Sequence, residues 1–187
     1  MAGIDETRSF VPLQIAVLTI SDTRALADDK SGTTLLERLT GAGHALAARD
    51  IVPDDVEGIR NVVKAWIADP AIDVIITTGG TGFTGRDVTP EAIEPLFEKR
   101  MEGFSTVFHM ISYEKIGTST LQSRATAGVA NATYIFCLPG SPGACRDGWD
   151  AILANQLDLR YRPCNFVEIL PRLDEHLKRD KAKGATV

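Results

Sequence analysis

Two hydrophobic spacings alternate along the chain. Leu13 to Ile20 reads LQIAVLTI, Ile72 to Thr78 reads IDVIITT and Thr133 to Leu138 reads TYIFCL. Each is a short β-prone run with almost no polar interruption, which predicts strands buried on both faces rather than strands with one wet side. A further strand is expected over Ala45 to Val52. Between these runs the apolar residues recur every three to four positions. Val56, Ile59, Val63, Trp66 and Ile67 give the clearest stripe, in a helix opened by Pro53-Asp54-Asp55. Leu35, Leu36 and Leu39 mark a second helix, with Ser31 as its expected cap and Gly41 and Gly43 as its stop. Phe104, Val107, Phe108 and Ile111 mark another, ending near Gly117, and the Ser/Thr-rich stretch beyond it carries no assignable period.

Two more helix starts are written in proline. Thr89-Pro90-Glu91 places Pro90 in the first turn and Glu91 at the positive dipole end, while Pro95 keeps this helix short. Ser141-Pro142 opens the helix carrying Cys145, Trp149, Ile152, Leu153 and Leu157. Strands alternating with helices imply βαβ units. The expected fold is therefore a doubly wound α/β domain, with a mainly parallel sheet between helices in three α/β/α layers. The 187 residues suit one domain, over 13–170, with a flexible tail over 1–12 and a C-terminal helix or tail over 171–187.

Charge and cysteines narrow the function classes. A net charge of −5 argues against a general nucleic-acid binder, which needs cations to displace counterions from phosphates. The basic run at His176, Lys178, Arg179, Lys181 and Lys183 is read as a solvated end. Cys137, Cys145 and Cys164 are odd in number and lack CxxC spacing, so no disulfide framework or zinc site is indicated. No run approaches the roughly 18 apolar residues of a membrane span, and the start lacks the apolar core of a signal peptide, so a cytoplasmic protein is expected. His44, His109 and His176 share no ligand spacing and are read as solvated.

In a sheet of this kind ligands bind beyond the carboxyl ends of the strands, where strand order reverses. The residues expected there are Ser21-Asp22, Pro53-Asp54-Asp55, Gly79 to Asp87 and Pro139 to Gly143. Glycines 79, 80, 82 and 85 let backbone amides approach an anion, beside a helix start at Thr89. Phosphate is the natural guest. Gly80 to Gly85 formally matches GxGxxG, yet it follows the third strand instead of the first, and Arg86, Asp87 and Pro90 delay the helix, against a dinucleotide fold. No GK[ST] P-loop is present. Asp22, Asp54 and Asp87 would repel phosphates unless they hold Mg²⁺ or orient a nucleophile. Asp54 could instead cap the next helix, with Glu57 three residues on. Arg86 and Arg124 can clamp phosphate or carboxylate bidentately, or form surface ion pairs.

Taken in order, Ser21-Asp22, Pro53-Asp54-Asp55, Thr78-Gly79-Gly80-Thr81-Gly82, Arg86-Asp87, Thr89-Pro90-Glu91, Ser123-Arg124-Ala125 and Leu138-Pro139-Gly140-Ser141-Pro142 resemble the molybdopterin-binding proteins of the MoaB and MogA type in molybdenum cofactor biosynthesis. The ending Arg162-Pro163-Cys164-Asn165-Phe166 resembles the MoaB branch. The resemblance implies the molybdopterin-binding fold, assembly as a trimer or a dimer of trimers, and adenylylation of molybdopterin with ATP and Mg²⁺. It implies Asp54 and Asp87 as the essential acids and Mg²⁺ ligands. Thr78, Gly79, Gly80, Thr81, Gly82, Arg86, Thr89, Glu91, Ser123, Arg124, Pro139, Gly140 and Ser141 would contact the substrate, and Ser21, Asp22, Gly79 and Gly80 would border the nucleotide. Other molybdenum cofactor enzymes are candidate partners, with no nucleic acid or membrane among them. A non-catalytic molybdopterin carrier on the same fold and, more remotely, a nucleotide-linked oxidoreductase are the alternatives.

Overall fold

A computed structural model describes residues 2–175; the basic run from His176 onward lies outside the described residues. Six strands form the main sheet in the order β3-β2-β4-β7-β6-β5. Four of them, β2 (Gln14–Ile20), β3 (Ala45–Val52), β4 (Val74–Thr78) and β7 (Thr133–Leu138), are parallel neighbours. All of β4 and β7 is buried, as their unbroken apolar runs require.

The last two strands break the βαβ pattern. β6 (Thr126–Ala130) runs antiparallel to β7 through a two-residue turn, and β5 (Lys99–Arg100) closes the edge with two exposed cationic residues. In that turn Asn131 and Ala132 have φ of 46° and 63°, the double left-handed conformation of a hairpin turn, with Ala132 in a place where glycine is the usual occupant. Within the N-terminal segment read as a tail, β1 (Gly3–Ile4) pairs antiparallel with β8 (Tyr161–Arg162).

Helices cover both faces. α1 (Lys30–Gly41), α4 (Glu102–Ile116) and α5 (Pro142–Gly148) pack one side, where Leu35, Leu39, Phe104, Phe108, Cys145 and Trp149 meet Ile15, Val17 and Phe136. α5 runs on through a π-helical turn, Trp149–Leu153, into α6 (Ala154–Gln156). α2 (Val56–Ala68) and α3 (Thr89–Ile93) pack the other side, where Ile59, Val63 and Ile93 meet Leu18 and Ile75. Fully burying a side chain of this size contributes roughly 1.5 to 3 kcal/mol, so these two layers dominate stability. A short α7 (Phe166–Ile169), capped by Asn165, seals the first core: the Tyr134 hydroxyl donates to the Phe166 carbonyl at 3.0 Å.

Two expectations are corrected. α1 is capped by Asp29, whose carboxylate accepts from the Gly32 N–H at 2.8 Å, and Ser31 lies inside the helix. His44 is buried, not solvated: its Nδ1 accepts from the Leu13 N–H at 3.1 Å, and its ring packs between Phe10 and Trp149.

Candidate functional site

Strand order reverses between β2 and β4, since the chain leaves β2 for β3 on one side and reaches β4 on the other. The carboxyl ends of β2, β4 and β7 and the loop after β3 meet there around a cleft of about 300 Å³. Its wall includes Ser21, Asp54, Gly79, Gly80, Thr81, Gly82, Asp87, Ser123, Pro139 and Gly140, ten of the residues singled out from the sequence.

Glycine is a steric requirement here. Gly79 has φ of 107°, and a Cβ on it would lie 2.2 Å from the Ile20 carbonyl oxygen. Gly80 has φ of 62°, and a Cβ there would stand 2.3 Å from the Thr89 hydroxyl and 2.9 Å from an Asp54 carboxylate oxygen. The two loops also touch, a Cβ on Gly140 falling 3.1 Å from the Gly79 Cα. Side chains beneath them lock this arrangement. The Thr78 hydroxyl donates to the Pro139 carbonyl at 2.9 Å, and the Thr89 hydroxyl donates to the Gly79 carbonyl at 2.8 Å. Thr78 and Thr89 are thus fully buried supports of the loops, and neither lines the cleft. Ser141 caps α5, accepting from the Ala144 N–H at 3.1 Å.

The adjacent aspartates divide two tasks. Asp55, not Asp54, caps α2, accepting from the Gly58 N–H at 2.6 Å. Asp54 is thereby left to the cleft wall. Burial pushes its carboxyl up from the ordinary range, and repulsion from Asp22 and Asp87 adds to the rise. Asp87 goes the other way: burial raises it, but hydrogen bonds from the Thr84 hydroxyl and the Thr84 and Gly82 N–H groups outweigh that and hold it low. One acid is crowded by negative charge and its neighbour is fixed as a carboxylate, an arrangement that a divalent cation would stabilise. Among the described residues no group of three or more His, Cys, Asp or Glu side chains could chelate a metal unaided. Two carboxylates fit Mg²⁺ nonetheless, because that ion is commonly held by one or two of them, with substrate phosphates and water completing its shell.

The predicted arginines are engaged elsewhere. Arg86 makes a bidentate pair with Asp22 on the exposed rim, at 2.9 and 2.7 Å. Arg124 staples the glycine loop, donating to the Gly82 and Asp87 carbonyls at 2.8 Å each and pairing with Glu91. Arg124 and Glu91 line a neighbouring polar cavity of about 480 Å³ that shares Ser123 with the cleft. His109 bridges α4 to that edge, its ring nitrogens 2.6 Å from the Ser105 carbonyl and 3.0 Å from that of Ser123. Arg24 and Gln122, which no local pattern marks, also line the cleft. Gly80 to Gly85 does not open a helix directly, since α3 starts only at Thr89.

A tight glycine loop, two acids and a switch point frame a candidate anion site in an α/β protein of the doubly wound class. The family described as "Probable molybdopterin binding domain" matches residues 16–159. Molybdenum cofactor biosynthesis protein B of Escherichia coli K12 is 53% identical over 157 residues, covering 84% of this chain and 92% of that protein. A crystal structure of a molybdenum cofactor biosynthesis protein B aligns with TM-score 0.78 and 41% identity, over 80% of this chain and 94% of the other. The tungsten cofactor synthesizing protein MoaB from Pyrococcus furiosus aligns with TM-score 0.66 and 36% identity, over 77% and 92%. The chain belongs to the molybdopterin-binding domain family of molybdenum cofactor biosynthesis.

Proposed function

We propose that the protein binds molybdopterin and adenylylates it with ATP. The carrying observation is that Asp54 and Asp87, from two different loops, face one cleft with the backbone of Gly79 to Gly82 and with Pro139, Gly140 and Ser123. In the reaction, an oxygen of the molybdopterin phosphate forms a bond to the α-phosphorus of ATP. The bond from that phosphorus to the bridging oxygen breaks, and pyrophosphate leaves with the electron pair.

The chain's part is positioning and charge placement. The Gly80 and Thr81 N–H groups are the loop donors for phosphate oxygens, since the Gly79 N–H donates to the Leu138 carbonyl and that of Gly82 to Asp87. The Thr78, Thr89 and Arg124 hydrogen bonds keep the loops from relaxing as charge moves. Asp54 and Asp87 would hold Mg²⁺, which supplies Lewis-acid stabilisation of phosphate charge when bound. A helix dipole alone contributes about 0.3 to 1 kcal/mol, enough to help place a phosphate but too little to account for the rate. Self-association as a trimer or dimer of trimers belongs to the same reading. It is supported by the exposed Met110, Tyr113 and Ile116 of α4 and by Leu121 beyond it.

Incubation with molybdopterin, ATP and Mg²⁺ tests the reading. Pyrophosphate should appear with the wild type and fall to background with Asp87→Asn. Equal background from both proteins, with molybdopterin still bound, leaves a carrier in place of an enzyme.

A further inference from the structure

Two arginines beside the cleft are neutralised. Arg86 pairs with Asp22 and Arg124 with Glu91. Arg24 differs. It lies in the loop between β2 and α1, lines the cleft, and among the described residues has no carboxylate partner. Its Nη1 donates to two neutral oxygens, the Ser31 hydroxyl and the Gly140 carbonyl, each at 3.2 Å. The Ser31 hydroxyl, fully buried, donates in turn to the same Gly140 carbonyl at 2.9 Å. A long, flexible cation is thus tied by one nitrogen to the loop that touches Gly79, while Nε and Nη2 make no protein hydrogen bond among the described residues. This explains why the buried Ser31 sits within α1 without capping it.

We propose that Arg24 is a phosphate-contacting residue of this cleft, oriented by Ser31 and the Gly140 carbonyl, with Nε and Nη2 as the donors. The inference takes the class of its ligand from the adenylylation reading. Acids and the free guanidinium both border one small space, so a phosphate chain can meet the cation at one end while the carboxylates face its metal-binding oxygens. A guanidinium suits this role because its planar fork matches two phosphate oxygens, which an ammonium cannot do.

Calorimetric titration of the full chain with pyrophosphate, MgATP and molybdopterin tests it, using wild type, Arg24→Ala, Arg24→Lys and Ser31→Ala. A charge-assisted contact predicts roughly ten- to hundredfold weaker binding for Arg24→Ala. Arg24→Lys should recover part of that loss, Ser31→Ala should weaken binding less than Arg24→Ala, and ligand-free melting of both Arg24 variants should match the wild type. Weakening confined to pyrophosphate and MgATP assigns the contact to the nucleotide, and weakening confined to molybdopterin assigns it to the pterin phosphate. Wild-type affinity in Arg24→Ala for all three probes overturns the proposal, as does a wild type that binds none of them. A wild type that releases no pyrophosphate yet shows Arg24-dependent binding removes the adenylylation reading and leaves this inference standing.

Discussion

Alanine should be costly at Gly79 and nearly neutral at Gly85, although both glycines stand in one loop. At Gly79 the new Cβ is forced into positive φ and lies 2.2 Å from the Ile20 carbonyl oxygen, a backbone atom held in place by β2. The left-handed backbone alone costs an L-residue roughly 1 to 2 kcal/mol. Relieving the overlap costs roughly 1 to 3 kcal/mol more, because β2 is a central strand and cannot retreat without moving its neighbours. The sum, at least about 2 kcal/mol, corresponds to a fall of at least about 4 °C in melting temperature for a chain of this size. A Cβ on Gly85 meets nothing within 4 Å, and its φ is not positive, so Gly85→Ala should stay within about 0.5 kcal/mol of wild type. Urea unfolding followed by far-ultraviolet circular dichroism, with pyrophosphate release in parallel, reads both quantities. Equal damage from the two substitutions, or none from Gly79→Ala, would refute the loop geometry on which the site rests.

Asp54→Asn should stabilise the ligand-free protein at neutral pH. Because its carboxyl is raised in the fold, wild-type stability is lost as pH rises through that pKa, so melting curves of variant and wild type should converge on acidification. Asp29 has the opposite sign: burial raises it, but hydrogen bonds from the Gly32 N–H, Arg49 and Thr19 hold it low, so its contribution disappears as pH falls. Asp29→Ala leaves Arg49 without its carboxylate and should cost roughly 3 to 5 kcal/mol in urea unfolding at neutral pH. The double change Met110→Glu, Tyr113→Glu should shift sedimentation toward the monomer with little change in melting, since both side chains are exposed; an unaltered sedimentation coefficient rejects α4 as the assembly surface.

Apolar runs made the buried parallel strands legible, Thr133 to Leu138 matching β7 residue for residue, and the expected Ala45 to Val52 likewise matches the half-exposed edge strand β3. The antiparallel edge was not legible, because its turn uses Asn131-Ala132 with no glycine, and two-residue β5 carries no period. Glycines 79, 80 and 82 announced the cleft because backbone constraints are local. Arg24, Ser31 and Gln122 did not, since their roles depend on partners up to 116 positions away, as the Arg24 to Gly140 hydrogen bond shows. The Asp54 ambiguity has the same root. Either neighbouring acid could cap α2 by composition, and only the direction in which the chain enters the helix decides between them.

The cationic stub of β5 also limits how copies of this molecule can join. A further strand arriving at that margin would find two residues to pair with, both charged alike, before the chain turns into α4. Continuous sheets running from one copy into the next are therefore blocked on that flank, and growth of fibrils from it is disfavoured. Contacts between copies near that flank are left to helix surfaces, where side chains decide the geometry and closed rings are easier to specify than open arrays.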